Sequence, residues 1–284
     1  MSGNKPQPKT VQVGDKKAAV PRTVRDLWDA GLKVAVGIPM GPVVDDWAFL
    51  SFWDIARKGW PLLKVPYDRP DVNRNKIGLQ LLESEFTHVV MLDLDHTHPS
   101  DVVERLLRWP WSDPEKLVVG GLSVRRCEPF EPTFYLRGPD GLFYAPVDIE
   151  PGLIEVARMG HGAVLISRQV LETIPPPWWR YTYTEGEAGH FSTEDFYFCA
   201  RCEEYGIKLW VDTTCHSPHI RKELATIETF RAWIEKHPEK VWFAEAMAQS
   251  RAAEVAGAET LAAGEETPAN ASPPMLPLDG VCAV

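Results

Sequence analysis

The sequence predicts an α/β protein: a Rossmann-like, mixed but mostly parallel central sheet flanked by helices, with a small antiparallel hairpin region. Three observations predict it. Apolar runs at 32–39, 60–66 and 89–92 each lead into a stretch of helical periodicity, so strand and helix alternate three times. The run Val89-Val90-Met91-Leu92 is apolar throughout, which suits a strand buried on both faces. Finally, Gly138-Pro139-Asp140-Gly141 lies between Phe134-Tyr135-Leu136 and Leu142-Phe143-Tyr144, a hairpin signal that turns the second half toward antiparallel or mixed pairing.

In chain order, residues 1–28 carry Lys5, Lys9, Lys16, Lys17, Arg22 and Arg25 among prolines and few apolar residues, and read as a flexible basic arm. One domain is expected over 29–250, with a first half at about 30–115, a second half at about 116–222 and a C-terminal helix at about 224–250. Strand 32–39 is broken by Pro39 and Gly41. Asp46 is expected to cap a helix through Lys58, with Gly59 at its C-terminal end. A helix over 71–83 turns Ile77, Leu81 and Leu82 inward. After the strand at 89–92, Ser100 is expected to cap a helix over 101–109. Further strands follow at 117–121, 154–159 and 163–166, the last two separated by Gly160-His161-Gly162, and then a short helix at 168–174. Residues 175–191, with Trp178, Trp179, Tyr181 and Tyr183, form a long irregular aromatic segment of the kind that carries function. A helix at 194–205 closes on Gly206, and a strand at 207–211 ends at Asp212. Residues 227–237 are amphipathic, and 251–284 have the Ala, Glu, Pro, Asn and Ser composition of a disordered tail.

Composition narrows the class. At 284 residues, 44% apolar and 25% charged, the chain is an ordinary globular protein. It holds no run of about 18 apolar residues, so no membrane span is expected. Five cysteines without a disulfide framework, and a polar start without an apolar core, point to the cytoplasm. Cys199 and Cys202 read as buried cysteines on one helix face. The net charge of −10 offers no global attraction to nucleic acid.

Three polar clusters stand just past apolar segments. Asp93-Leu94-Asp95 follows a strand, and residues two apart in a strand point the same way. Two carboxylates so close repel unless a cation lies between them, and oxygen ligands suit Mg2+ or Mn2+. Thr193-Glu194-Asp195 opens a helix, and Asp212 with His216 and His219 follows a strand. Strand ends of this kind are where open α/β sheets bind ligands.

Taken together these passages resemble a glycosyltransferase of the GT-A fold, close to the family-2-like enzymes of bacteria and phages. Val34-Ala35-Val36-Gly37-Ile38-Pro39 resembles the first strand and nucleotide loop. Val72-Asn73-Arg74-Asn75-Lys76 resembles the family's "ARN" helix. Asp93-Leu94-Asp95 matches the DxD, Thr193-Glu194-Asp195 the "ED" of the acceptor half, and His219 the metal-binding histidine after the closing strand. The likeness spans about residues 32–220.

The resemblance implies sugar transfer from a nucleotide-diphosphate sugar, a UDP-sugar first among them, to an acceptor hydroxyl, with Mn2+ or Mg2+ as cofactor. It implies metal ligands Asp93, Asp95 and His219, with His216 as the competing histidine. It implies donor contacts at Pro39, Asp68, Arg74, Asn75, Asp93, Gly121 and Arg125. Asp195 is the candidate general base, assisted by Glu194, and a directly acting base implies inversion. His96-Thr97-His98 after the DxD departs from the family. Acceptors among DNA bases, glycans, lipids and proteins stay open. Phage enzymes of this appearance modify hydroxymethylated DNA bases, which the basic arm and Arg125-Arg126 permit and the acidic net charge opposes; a phage protein would act in the host cytoplasm. Two other enzyme classes compete. Asp93-Leu94-Asp95-His96-Thr97 also fits the DxDx(T/V) signature of haloacid-dehalogenase phosphatases, though two strand–helix units precede it here. A sugar nucleotidyltransferase shares the sheet type, but Pro39-Met40-Gly41-Pro42 is a poor match to its Gly-rich basic loop. A non-catalytic sugar-binding module is the third alternative.

Overall fold

The computed structural model describes residues 24–39, 41, 44–183, 191–221 and 224–238. The basic arm before residue 24, the segment tip at 184–190 and the tail at 251–284 lie outside the described residues. Helix α1 (Val24–Asp29) occupies the end of the expected arm, because Leu27 is buried against the sheet. The order then runs β1 (Val34–Ile38), α2 (Asp46–Ala56), β2 (Leu62–Lys64), α3 (Pro70–Glu83), β3 (His88–Leu92), α4 (Val102–Ser112) and β4 (Val118–Leu122). A meander follows: β5 (Phe134–Arg137), β6 (Phe143–Tyr144), β7 (Leu153–Val156), β8 (Arg158–Met159), β9 (Ala163–Ser167) and α5 (Arg168–Thr173). The chain closes with β10 (Thr182–Tyr183), β11 (Phe191–Ser192), α6 (Glu194–Glu204), β12 (Leu209–His216), β13 (His219–Ile220), β14 (Leu224–Ala225) and α7 (Ile227–Lys236).

The central sheet has seven strands in the order β2-β1-β3-β9-β4-β12-β7. β2, β1 and β3 are parallel neighbours, as are β4 and β12, while β9 and the edge strand β7 run antiparallel. This is the mixed, mostly parallel sheet flanked by helices that the sequence leads one to expect. The hairpin at Gly138–Gly141 forms between β5 and β6, and β8 completes that small antiparallel sheet.

Alternation along the strands builds two cores, one on each face. Val89 and Met91 of β3, with Val164 and Ile166 of β9, pack with Ile77 and Leu81 of α3 and Phe198 of α6. Val90 and Leu92, with Ala163 and Leu165, pack with Leu106 and Leu107 of α4 and Ile55 of α2. Each fully buried Val, Leu, Ile, Met or Phe among them contributes roughly 1.5–3 kcal/mol. Sheet and helix layers therefore lock the end of β3, where the Asp93-Leu94-Asp95 motif emerges. Cys199 and Cys202 are buried on α6, as expected.

Several boundaries differ from the sequence reading. Asp45, not Asp46, caps α2, accepting from the Trp47 amide. α4 starts at Val102 with Asp101 rather than Ser100 before it, and Asp101 gives its carboxylate to Arg105 at 2.8 Å. That helix also runs through Pro110, whose ring is buried. The strand expected at 154–159 splits at Ala157, whose N–H turns to the Tyr135 carbonyl, so that β7 joins the large sheet and β8 the small one. The strand expected to end at Asp212 continues to His216. Of the C-terminal helix expected over 224–250, residues 227–236 are helical, 224–225 form β14, and 239–250 lie outside the described residues.

Candidate active site

β3 ends at Leu92, and the chain turns at once. Asp93 keeps a sheet-like bond, its N–H donating to the Gly162 carbonyl at 2.9 Å, but Leu94 and Asp95 form a turn. The two aspartates therefore do not face one way as strand geometry would require. They serve two different clusters.

The first cluster is organised by Arg74. It lies in the first turns of α3, is 2% exposed, and reaches across to the end of β3. Its Nη2 donates to Asp93 Oδ1 at 3.0 Å and Oδ2 at 2.8 Å, and its Nη1 to Glu194 Oε1 at 3.0 Å. Asp195 Oδ1 stands 3.6 Å from Nη2. One guanidinium thus gathers three carboxylates from two distant segments. Burial works to lower the Arg74 pKa, but Asp93, Asp195 and Glu194 together raise it. Burial in turn pushes the carboxyls of Asp93, Glu194 and Asp195 upward; Arg74 opposes all three shifts.

Glu194 and Asp195 reach this cluster because Thr193 caps α6, accepting from the Phe196 N–H, and so aims the first turn at the sheet edge. Glu194 is also bonded by the Tyr181 hydroxyl. Asp195 Oδ2 accepts from the His161 backbone N–H at 3.2 Å, whereas its buried Oδ1 has no hydrogen-bond partner among the described residues. The His161 ring is fully buried beside it. Trp179 Nε1 donates to its Nδ1 at 3.0 Å, and burial, reinforced by Arg74, holds it neutral.

The second cluster is Asp95, His96 and His219, whose donor atoms lie within 4.8 Å of one another. Here loop and strand are stitched together: Ile220 N–H donates to the Asp95 carbonyl at 2.7 Å, and His96 and His219 pair as a β-bridge with ring centroids 3.7 Å apart. His219 Nδ1 donates to the Val124 carbonyl, which leaves Nε2 with a lone pair 3.7 Å from Asp95 Oδ2. That arrangement, one ring nitrogen tied to a carbonyl and the other presented beside a carboxylate, is how proteins hold a metal-binding imidazole. The donor set fits a divalent cation. Burial works to raise the Asp95 carboxyl, but the His96 hydrogen bond at 2.8 Å, with His219 and Arg126, holds it below the usual carboxylate range. Burial lowers His219, and burial with His219 lowers His96 to about 4, so both rings are neutral. Behind them His98 donates Nε2–H to the Asp93 carbonyl at 3.0 Å and takes the Ser217 hydroxyl at 3.1 Å on Nδ1.

The structure brings together Arg74, Asp93, Glu194 and Asp195, and separately Asp95 and His219. Asp93, expected as a metal ligand, instead has both oxygens on Arg74. Arg74 and Asn75, expected to hold the donor, face inward. Asn75 accepts from the Trp178 amide and donates to the Trp179 carbonyl, so it anchors the aromatic segment. Trp178 and Trp179 are themselves core residues. Asp68 caps its own loop, bonding Arg69 N–H and Lys76 Nζ at 2.9 Å. Pro39 is buried just after β1. Gly121 sits inside β4, where a Cβ would come 2.9 Å from the Cys215 carbonyl, so its smallness serves packing. Arg125 pairs with Glu131 at 3.0 Å. Asp212 is fully buried under α4, bonded by Arg108 and Trp109, and His216 is exposed on a carbonyl of its own strand. Neither belongs to the site. His161 was not singled out for chemistry from the sequence, and His96 only as a departure from the family. His96 had a signal in its position directly after Asp95; His161 sits between two glycines in a turn and had none.

No protein-family model and no curated protein matches the chain. Several solved structures resemble it. A197 from STIV is 16% identical at a TM-score of 0.49, with 67% of this chain and 86% of that chain covered. GalNAc-T7, solved with UDP, GalNAc and Mn2+, is 12% identical at 0.42, covering 75% of this chain and 44% of that one. Apo-UDP-glucose pyrophosphorylase is 10% identical at 0.37, covering 76% and 85%. No helix among the described residues is long and apolar enough to cross a membrane.

Proposed function

We propose that this chain is an inverting glycosyltransferase that moves a sugar from a UDP-sugar or related nucleotide-diphosphate sugar to an acceptor hydroxyl. One observation supports this above the others: Arg74 ties Asp93, after β3, to Glu194 and Asp195, at the start of α6, so acidic motifs from opposite halves of the sheet share one site. Asp95 and His219 stand beside it as ligands for Mn2+ or Mg2+. When bound there, the cation supplies charge neutralisation for the diphosphate leaving group.

The chain's own residues supply the rest. The acceptor oxygen attacks the anomeric carbon, the bond from that carbon to the diphosphate oxygen breaks, and the nucleoside diphosphate leaves with the electron pair. The acceptor proton passes to Asp195 Oδ1, the carboxylate oxygen left without a hydrogen bond. The raised Asp195 pKa, caused by burial, suits that role. Glu194 is held by Arg74 and Tyr181 and orients the turn. The phosphatase reading fares worse: β3 has antiparallel β9 beside it, and the Asp93 oxygens that would act as nucleophile are both on Arg74. Arg125 and Arg126, which a DNA acceptor called on, are paired with Glu131 and Asp95. The acceptor is therefore sought first among glycans and proteins.

The test is a screen of nucleotide sugars with Mn2+, identifying the released nucleotide. Nucleoside diphosphate is expected; formation of pyrophosphate from a nucleoside triphosphate and a sugar phosphate would establish a nucleotidyltransferase instead. Asp195→Asn should keep donor binding and lose turnover by about 10²–10⁴-fold. A retained anomeric configuration in the product would exclude the direct base.

A further inference from the structure

We infer that His96 is a metal ligand, giving the site two imidazoles and one carboxylate and making it select Mn2+ over Mg2+. The inference deepens the proposed function by assigning the cation site's third protein ligand.

Four observations carry it. His96 is 2% exposed, and its Nδ1 lies 2.8 Å from Asp95 Oδ1, on the side of the carboxylate opposite the oxygen that faces His219. Asp95 is thus flanked by a ring nitrogen on each oxygen. Asp95 Oδ1 can only accept, so the proton sits on Nδ1, and Nε2, buried without a partner among the described residues, keeps its lone pair free for a cation. A ring whose role was only to hold Asp95 would be expected to have its second nitrogen satisfied, because a buried polar atom left without a partner is unfavourable. The backbone also grips the ring from both sides. His96 is bridged to His219, and Gly162 lies so close that a Cβ there would come 2.5 Å from Nε2. Finally, His98 packs behind His96 with ring centroids 5.9 Å apart and binds the Asp93 carbonyl, a supporting layer for the loop that carries two donors. Arg126, 3.4 Å from Asp95 Oδ2 and partly exposed, can swing outward as a cation enters.

The ligand chemistry decides the selectivity. Mg2+ demands oxygen donors and dehydrates reluctantly, whereas imidazole favours the transition metals in the order that rises from Mn2+. A site with two neutral imidazoles therefore disfavours Mg2+ even though both cations suit a diphosphate.

Pulsed electron paramagnetic resonance of Mn2+ bound to the full chain, without any substrate, counts the coordinated nitrogens. Two are expected, together with a calorimetric affinity at least tenfold greater for Mn2+ than for Mg2+. His96→Asn, which keeps a donor near Asp95 but no imidazole, should leave one nitrogen and weaken Mn2+ binding by tenfold or more. One nitrogen in the unaltered protein, or equal affinity for the two cations, overturns the inference. If Mn2+-dependent transfer persists in that case, the proposed function stands without it. Failure to bind Mn2+ at all overturns both the inference and the metal-dependent reading.

Discussion

Arg74 carries more of this molecule than its place in a surface-looking helix suggests. A single guanidinium faces Asp93, Glu194 and Asp195, so the cluster holds more acid than base even before a substrate arrives. Removing one partner of a buried ion pair leaves the others uncompensated, at a cost of about 3–5 kcal/mol. Arg74→Met should therefore lower stability by an amount in that range, read from chemical denaturation. The loss should be larger at pH 8 than at pH 5. Without the guanidinium the buried carboxyls keep their protons to higher pH than in the unfolded chain, so folding grows less favourable as pH rises. An arginine that only touched donor phosphate would instead change the donor KM and leave stability alone.

Among the elements, the short connection between β8 and β9 does the most positioning. Gly160-His161-Gly162 delivers a backbone N–H to Asp195, a buried ring beside it, and a glycine that lets the His96 ring lie flat against the chain. Gly162→Ala would set a Cβ 2.5 Å from His96 Nε2, and His96 is held by its bridge to His219 and cannot simply move. Overpacking of this kind typically costs about 1–3 kcal/mol. We expect a fall in stability of that order together with weaker Mn2+ binding, measured by calorimetry. Gly160→Ala is the control: a Cβ there meets Thr133 at 3.1 Å, away from His96. Stability lost without any change in Mn2+ affinity would separate the turn from the metal ligands.

For the whole molecule, acid sensitivity is built into the central strands. His88 opens β3 in a buried position, where burial lowers its pKa to about 4 from the ordinary 6.5. In the fold it stays neutral, while the unfolded chain takes up its proton as pH drops below 6.5. Stability is thus flat above pH 6.5, falls between 6.5 and 4, and levels off below; the total from this one group is on the order of 3 kcal/mol. His88→Gln should remove that part of the slope. Comparing denaturation midpoints of the two proteins at pH 7 and pH 4.5 measures it; parallel pH profiles would mean that His88 gains its proton in the fold.

The alternation of apolar runs with helical periodicity was enough to establish the α/β class and the end of β3 at Leu92, because burial on both faces of a sheet leaves a local trace of unbroken apolar residues. The hairpin at Gly138–Gly141 and the cap at Thr193 were legible for the same reason: a turn or a helix start is decided by a few adjacent residues. What tertiary structure alone decided is which polar residue meets which. Asp93 and Asp95 look equivalent in sequence, yet one serves Arg74 and the other the histidines, because β3 stops at Leu92 and the chain turns between them. Arg74 lies 120 positions from Glu194, and no local pattern records that contact. Trp178 and Trp179, in the aromatic segment that reads from sequence as one that carries function, are core residues whose backbone Asn75 holds. Local sequence can state a residue's chemistry and the element it sits in; partners set by long-range packing exist only once the sheet has put the ends of distant strands side by side.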